Sequence, residues 1–180
     1  MRKALVSEML PEDGRITAIL PAYTEKGDAT RILLSTGEEV LLAVRTKRAL
    51  ELLAARHCQS LELLRRWGRR HVNGMNGLAL AMAPELVLLP LRVRAPRVRG
   101  DATLGFINVA LGEVRLRPVE MGTELILPTG QPIRSLWQAA TVRRHLLSAR
   151  LLAHQREAEA AAVFFRRFRG MFVDGRRENA

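Results

Sequence analysis

A short motif occurs twice in the sequence, and it constrains the fold more than any other feature. Ile32-Leu33-Leu34-Ser35-Thr36-Gly37 matches Leu125-Ile126-Leu127-Pro128-Thr129-Gly130, 93 residues further along. Each copy is typical of an apolar strand, a Thr-Gly turn and a second strand, followed by a helix rich in Leu and Arg. A duplication would pack two β-β-α units as pseudo-symmetric halves. A chance similarity between two hairpins is the alternative.

Apolar runs between turn signals predict further strands over 15–20, 78–82, 86–89, 103–109 and 114–119, and Asn-Gly pairs at 73–74 and 76–77 predict turns. A leucine stripe predicts one helix from Thr46 to Trp67 that ends at Gly68. A helical pattern begins again near Trp137. We therefore expect an α+β, β-rich, mostly antiparallel fold with two β-β-α-like units and a long C-terminal helix. The expected boundaries are a flexible N-terminus over 1–14, a main domain over 15–155, and a helix end and tail over 156–180.

The positive charge is concentrated in two blocks of the chain. The formal net charge is +11, and residues 41–100 hold twelve Lys or Arg against three acidic residues. Residues 141–180 hold nine against four, whereas the remaining stretches are slightly acidic. Arginine outnumbers lysine 26 to 3, a bias that a GC-rich genome also produces. A charge placed in this way is typical of a surface that binds a polyanion, most often nucleic acid.

Arginine residues are the candidate binding residues. The first group follows an apolar strand without an acid among its members, and a bend at Pro96 would bring its side chains to one side of an extended arm or hairpin tip. The second group lies near the end of a predicted helix, and the third lies on the last long helix. A solvated basic loop or helix face is the alternative for each group. The groups are Arg92, Arg94, Arg97 and Arg99, then Arg69 and Arg70, then Arg143 and Arg144.

Enzyme and metal motifs are not indicated. The sequence has no phosphate-binding glycine loop, and its four histidines show no metal-ligand spacing with Cys or acids. His57 and Cys58 are neighbours on a predicted helix, so their side chains would point about 100° apart. We therefore expect no catalytic residue, no metal and no cofactor. A single cysteine, and no apolar run of the roughly 20 residues that a membrane span needs, fit a cytoplasmic protein without a membrane partner.

Three of the five phenylalanines lie close together near the C-terminus. Phe164 and Phe168 are four residues apart and would share a helical face. Core packing, a dimer seam and a tail recognised by an adaptor protein all fit this pattern. A basic helix that carries Phe can also lie on anionic lipid.

The order of these features resembles the competence transcription factor ComK family from about Ile16 to His154. The similar segments are 17–21 (TAILP), 68–70 (GRR), 83–90 (APELVLLP), 105–108 (GFIN) and 124–131 (ELILPTGQ), followed by the Arg-bearing helix over 138–152. Phe106 stands where the family has tryptophan, and Leu104 where it has its central cysteine. The segment from Phe164 to Val173 is loosely similar to the family's Phe-rich degradation tail.

The resemblance implies an oligomeric activator of DNA-uptake genes that reads A/T-rich double-stranded DNA from the minor groove. It also implies a homodimer or higher oligomer, and a proteolytic adaptor as a partner of the C-terminal tail. Narrow A/T-rich minor grooves attract inserted arginines, which agrees with the arginine segment. An RNA-binding or ribosome-associated module and a non-catalytic protein-interaction protein are the alternatives. The low aromatic content, 4%, disfavours base stacking on RNA.

Overall fold

The structure is a computed structural model that describes residues 9–25, 27–72 and 79–174, with side chains as far as Arg166 along the last helix. Nine strands and three α-helices lie within these residues. The strands are β1 (Ile16–Thr24), β2 (Gly27–Leu34), β3 (Glu39–Leu42), β4 (Leu80–Ala83), β5 (Leu86–Arg92), β6 (Leu104–Asn108), β7 (Arg115–Val119), β8 (Gly122–Ile126) and β9 (Pro132–Ser135). The helices are α1 (Thr46–Arg56), α2 (Leu61–His71) and α3 (Ala139–Asp174).

The strands form two antiparallel sheets. The larger sheet has the order β3-β2-β1-β6-β5-β4, and the smaller sheet has the order β7-β8-β9. Neighbouring strands in both sheets pair antiparallel, mostly as hairpins. The predicted α+β, β-rich and mostly antiparallel fold with a long C-terminal helix is therefore confirmed.

The larger sheet separates two apolar cores, because successive side chains of a strand point to opposite faces. On one face, residues such as Ile19, Ile32 and Leu88 pack with buried side chains of α1 and α2. On the other face, Leu89 and Ile107 belong to a core that also contains buried side chains of β8, β9 and α3. The larger sheet is thus the middle layer, with α1 and α2 on one side and the smaller sheet with α3 on the other.

The two copies of the repeated motif fold in the same way. β3 and β9 are 93 residues apart at both ends, and so are the first residues of α1 and α3. Gly37 and Gly130 close the two hairpins with positive φ angles of 87° and 83°. Each glycine N–H donates to the last carbonyl before its turn, that of Leu34 at 3.0 Å and that of Leu127 at 2.8 Å.

A matching side-chain bond joins each hairpin to its helix. The Thr30 hydroxyl donates to the Val44 carbonyl at 2.7 Å. The Thr123 hydroxyl, 93 residues later, donates to the Trp137 carbonyl at 2.8 Å. The two predicted β-β-α-like units are therefore present, with the same internal hydrogen bond in each.

The single helix predicted from Thr46 to Trp67 is wrong, because the chain breaks at Cys58. This residue has a φ of +54°, a left-handed conformation that ends α1. The N–H groups of Cys58 and Gln59 donate back to carbonyls of α1, and the Ser60 hydroxyl then accepts from Leu63 N–H to begin α2. Gly68 does not end the helix but lies buried inside α2. The leucine stripe continues through the break, which is why the break was not predicted.

Part of the N-terminal segment expected to be flexible is packed against α1. Leu10 is buried in the core beside α1. The Asp13 carboxylate lies 2.8 Å from Arg56 Nη1 and 2.6 Å from His57 Nε2. Residues 1–8, and the Asn-Gly turns predicted at 73–74 and 76–77, lie outside the described residues.

Candidate nucleic-acid interface

The arginine segment forms the tip of the β5–β6 hairpin. Arg92, the last residue of β5, pairs with Leu104, the first residue of β6. The Val93 N–H donates to the Thr103 carbonyl at 3.0 Å and extends the pairing by one step. Residues 95–100 beyond it are all exposed. The structure therefore places the segment at the end of the larger sheet, where a partner has access to it.

Tyr23, near the end of β1, holds this tip in place. Its hydroxyl donates to the Asp101 carboxylate at 2.5 Å. The guanidinium carbons of Arg94 and Arg97 lie 3.8 and 4.3 Å from the centre of its ring, within cation–π distance. The β1–β2 hairpin thus provides a support on which two of the four predicted arginines rest.

Asp101 fixes the backbone of the tip as well. Its carboxylate accepts hydrogen bonds from the N–H groups of Arg97, at 2.7 Å, and Val98, at 3.1 Å. The hydrogen bond from Tyr23, followed by these two backbone bonds, lowers the pKa of Asp101 below its usual range. The same bond, together with desolvation, raises the pKa of Tyr23, although the two arginines act in the opposite direction. Both groups therefore keep the protonation states that the bond needs at neutral pH.

Arg94 is held inside the protein and is not free to bind a ligand. Its Nε donates to the Ala102 carbonyl at 2.7 Å, and its Nη2 lies 4.0 Å from an Asp28 carboxylate oxygen. Its side chain is only 18% exposed. Of the four predicted arginines of the segment, Arg94 is thus the one that is largely buried, and its contacts stabilise the tip.

Arg92, Arg97 and Arg99 remain exposed, and none of them forms an ion pair within the described residues. By strand alternation Arg92 points to the side of the sheet that α1 and α2 cover, as does its partner Leu104. Leu104 in turn lines a cavity together with Lys47 of α1 and Arg65 of α2. Lys47 and Arg65 therefore meet at one cavity, and strand alternation places Arg92 on the same side of the sheet, next to the cavity residue Leu104.

We call Lys47, Arg65, Arg69 and Arg92 the basic face. Arg65 and Arg69 are four residues apart, so they follow each other along one side of α2. All four side chains are exposed, and none has a carboxylate partner among the described residues. Lys47 and Arg65 were missed as candidate residues. The spacing of Arg65 and Arg69 was the available signal for Arg65, and the short basic run over 45–48 (RTKR) was the available signal for Lys47.

Acidic side chains near this surface already form ion pairs or hydrogen bonds with other groups of the protein. Asp28 pairs with Arg45 at 3.1 Å, and Glu51 pairs with Arg48 at 3.2 Å. The Asp101 carboxylate accepts hydrogen bonds from the Tyr23 hydroxyl and from two backbone N–H groups of the tip. Because these carboxylates have partners of their own, the field of the basic face remains positive.

Arg70 lies on a different side of α2 from the basic face. It lines a cavity of 350 Å³ together with Arg66, Trp67 and Arg156. Arg156 of α3 lies over the Trp67 ring at 4.6 Å, and His71 stacks beside that ring at 4.2 Å. This second surface joins the end of α2 to α3, so Arg69 and Arg70 face two different neighbours.

Arg143 and Arg144 are exposed on α3, on the opposite side of the larger sheet from α2. The start of α3 is nevertheless tied to the hairpin, because Leu136 N–H donates to the Arg92 carbonyl at 2.7 Å. Near the start of α3, His145 is buried against Trp137, and its desolvation, with the charge of Arg144, lowers its pKa. The third arginine group is therefore separate from the basic face.

A single tyrosine makes the support of the hairpin tip directly measurable. We expect the ultraviolet absorbance titration of Tyr23 to give a midpoint above the ordinary tyrosine value of about 10. In an Asp101→Ala variant the midpoint should fall below that of the wild type, because the strongest cause of the shift is removed while Arg94 and Arg97 remain. An unchanged midpoint in the variant would contradict the support described here.

The direction of both pKa shifts defines a pH window for this support. The lowered pKa of Asp101 stabilises the fold above the unfolded value of about 4, and this contribution is lost as the pH falls through the folded pKa. The raised pKa of Tyr23 stabilises the fold below about 10, and this contribution is lost as the pH rises through the folded pKa. The tip is thus fixed throughout the neutral range.

Guanidinium and ammonium groups on an exposed face bind phosphate oxygens, and arginine also enters narrow grooves.

Among the described residues, no group of three or more His, Cys, Asp or Glu side chains is placed to hold a metal ion. No helix in the described part of the chain is long and apolar enough to cross a bilayer. Comparison of the chain with protein-family models, with curated proteins and with solved structures finds no match.

Proposed function

We propose that this protein is a non-catalytic, cytoplasmic transcription regulator that binds double-stranded DNA through the basic face and the β5–β6 tip. The observation that supports it most is that Lys47 and Arg65 line one cavity, that Arg92 lies across from the cavity residue Leu104, and that none of these cations has a carboxylate partner within the described part of the chain. The resemblance to the ComK family suggests competence genes as targets and activation as the effect. In this proposal Arg97 and Arg99, at the tip, enter an A/T-rich minor groove, and the basic face contacts backbone phosphates.

A supported tip suits insertion into a groove. Arg94 and Tyr23 fix the tip before binding, so little conformational entropy remains to be lost when DNA binds. Arg92 adds a cation at the base of the hairpin, next to the basic face. A minor groove of about 6 Å accepts extended arginine side chains, whereas a helix needs the wider major groove.

RNA binding is the second candidate, and the aromatic side chains make it the weaker one. Single-stranded RNA is bound largely by stacking bases on exposed aromatic rings. The Tyr23 ring already carries Arg94 and Arg97, and the Trp67 ring carries Arg156 and His71. The exposed Phe164 and Phe165 lie on α3, away from the basic face. The candidate interface therefore offers cations but few stacking platforms.

A competition experiment tests this proposal. We expect an A/T-rich duplex to displace a labelled A/T-rich probe at a concentration about tenfold lower than a G/C-rich duplex of equal length. Single-stranded RNA should be the weakest competitor. Equal competition by the two duplexes would contradict minor-groove reading, and preferential competition by RNA would support the second candidate. Absence of any nucleic-acid binding at moderate salt would favour a protein-interaction protein.

We propose that the protein acts as a homodimer joined through α3. The outer side of α3 exposes Leu147, Leu151 and Phe165, which are 54%, 52% and 67% exposed. Their spacing, with Ala158 between them, places them along one side of the helix, opposite the side buried against the sheet. A second copy would cover this apolar stripe and present two hairpin tips to one DNA site, as dimeric DNA-binding proteins do.

Sedimentation of the purified protein tests the dimer. We expect the wild type to sediment as a dimer and a Leu147→Glu, Leu151→Glu variant to sediment as a folded monomer. Leu63→Glu is the matched control, because Leu63 is 55% exposed on α2 and lies outside the stripe. A wild-type monomer, or a dimer that both variants leave intact, would contradict this assignment.

A further inference from the structure

An apolar cavity opens beside the basic face, between α1, α2 and the start of β6. Its volume is 280 Å³. Leu50, Leu61 and Phe106 line it, and these side chains are only 2%, 7% and 6% exposed. Side chains of the apolar core therefore form the floor of the cavity, which is open to solvent.

The rim of this cavity is cationic. Lys47 and Arg65 both line it, and neither forms an ion pair within the described residues. Leu104, which is 39% exposed, stands at the same rim. Asp101 also reaches the cavity, but its charge is satisfied by the Tyr23 hydroxyl and two backbone N–H groups. An apolar floor, below two cations that have no ion-pair partner among the residues the structure describes, is complementary to a molecule that has an apolar tail and an anionic head.

We propose that this cavity binds a small amphiphilic anion, a medium-chain carboxylate or an equivalent acyl compound. The tail would lie among Leu50, Leu61 and Phe106, and the head would pair with Lys47 and Arg65. A cavity of about 150 Å³ is enough to hold benzene. By that scale, the present cavity accommodates roughly ten carbon atoms, with the head outside.

The position of the site gives the ligand a consequence for the proposed function. Lys47 and Arg65 belong to the basic face, so a bound anion removes the charge of two cations that are proposed to contact DNA. The ligand is therefore an inhibitor of DNA binding. This consequence rests on the proposed function, whereas binding of the anion itself does not.

Calorimetric titration with decanoate, without DNA, tests the site by itself. We expect saturable binding of one decanoate per chain, with decylamine, which has the same chain length and the opposite charge, at least tenfold weaker. In a Lys47→Met, Arg65→Met variant the difference between the two ligands should disappear. In an Ala102→Leu variant, which narrows the cavity and keeps both cations, decanoate binding should fall at least tenfold. An Arg143→Met variant loses a cation on α3, outside both the cavity and the basic face, and should bind decanoate as the wild type does.

Failure to bind decanoate, equal binding of decylamine by the wild type, or unchanged binding by a folded Ala102→Leu variant would overturn the proposal. A second titration then adds decanoate to the complex with DNA. Release of DNA from the wild type but not from Ala102→Leu is the expected result. If decanoate binds and DNA is not released, the site stands and its overlap with the DNA interface is rejected.

Discussion

Replacing Arg65, Arg69 and Arg92 together by alanine is expected to weaken binding to an A/T-rich duplex by about 100- to 1,000-fold. The three side chains lie on the basic face, and each is expected to form a charged hydrogen bond to a phosphate oxygen. At about 1 to 1.4 kcal/mol each, the three bonds together contribute about 3 to 4 kcal/mol, and 1.4 kcal/mol corresponds to tenfold in affinity. All three are exposed, so the melting temperature should change little.

A matched variant separates the local effect from the loss of net charge. Arg143, Arg144 and Arg150 lie on α3, on the other side of the larger sheet. Their replacement by alanine lowers the net charge by the same three units, yet it should weaken DNA binding less than tenfold. Equal losses in the two variants would show that DNA responds only to overall charge, and the basic face would lose its role.

Replacing Asn108 by leucine is expected to cause the largest loss of stability of any single change considered. The side chain is 1% exposed at the end of β6. Its Oδ1 accepts from Val87 N–H and Ala110 N–H, both at 3.1 Å. Its Nδ2 donates to the carbonyls of Ile16 and Glu85 at 3.0 and 2.8 Å. One amide group thus joins β1, β5, β6 and the turn between β4 and β5.

The expected cost follows from those four bonds. Each buried backbone group left without a partner costs about 1–3 kcal/mol, so the free energy of unfolding should fall by about 4 kcal/mol or more. That is a large part of the roughly 5–15 kcal/mol that stabilises a typical domain. Urea unfolding of the wild type and of the Asn108→Leu variant measures this loss in the free energy of unfolding. Gln131→Leu is the control, because it removes two bonds nearer the surface, one to the Gly37 carbonyl at 3.3 Å and one from the Thr129 hydroxyl at 3.2 Å, and it should change stability by less than about 1 kcal/mol.

An Asn108→Asp variant adds a second check. Its carboxylate keeps the two acceptor bonds but faces the carbonyls of Ile16 and Glu85, which repel it. Stability should therefore rise as the pH falls and the carboxyl group becomes protonated, opposite to the trend expected for Asp101.

A loss below about 1 kcal/mol in the free energy of unfolding of the Asn108→Leu variant would show that the Asn108 hydrogen bonds contribute little to stability.

The hairpins and their helices were predictable because their signals are local. Gly37 and Gly130 supply the positive φ angles that the turns need, and the strands on either side are apolar. The 93-residue offset extends to the Thr30 and Thr123 side-chain bonds, which the motif itself does not contain. Local residue types thus set the two units, and the equal spacing predicted their similarity.

The candidate site was less predictable because its contacts join distant parts of the chain. Arg94 looks like its neighbours in the sequence, but Tyr23 and Asp28 lie about 70 residues before it. Lys47 and Arg65 reach the hairpin only because α1 and α2 pack on the same side of the sheet as Leu104. No local sequence pattern predicts these contacts between distant residues. The sequence therefore indicated arginine-rich segments without showing which arginines lie close together.

The salt dependence of DNA affinity tests the central claim most directly. Each phosphate contact contributes about 0.9 to the slope of log affinity against log salt concentration. We predict that the variant lacking Arg65, Arg69 and Arg92 has a slope smaller than the wild type by about 2 to 3 units, whereas the variant lacking Arg143, Arg144 and Arg150 has a slope within about 1 unit of the wild type. The same slope in the wild type and the basic-face variant would contradict the account.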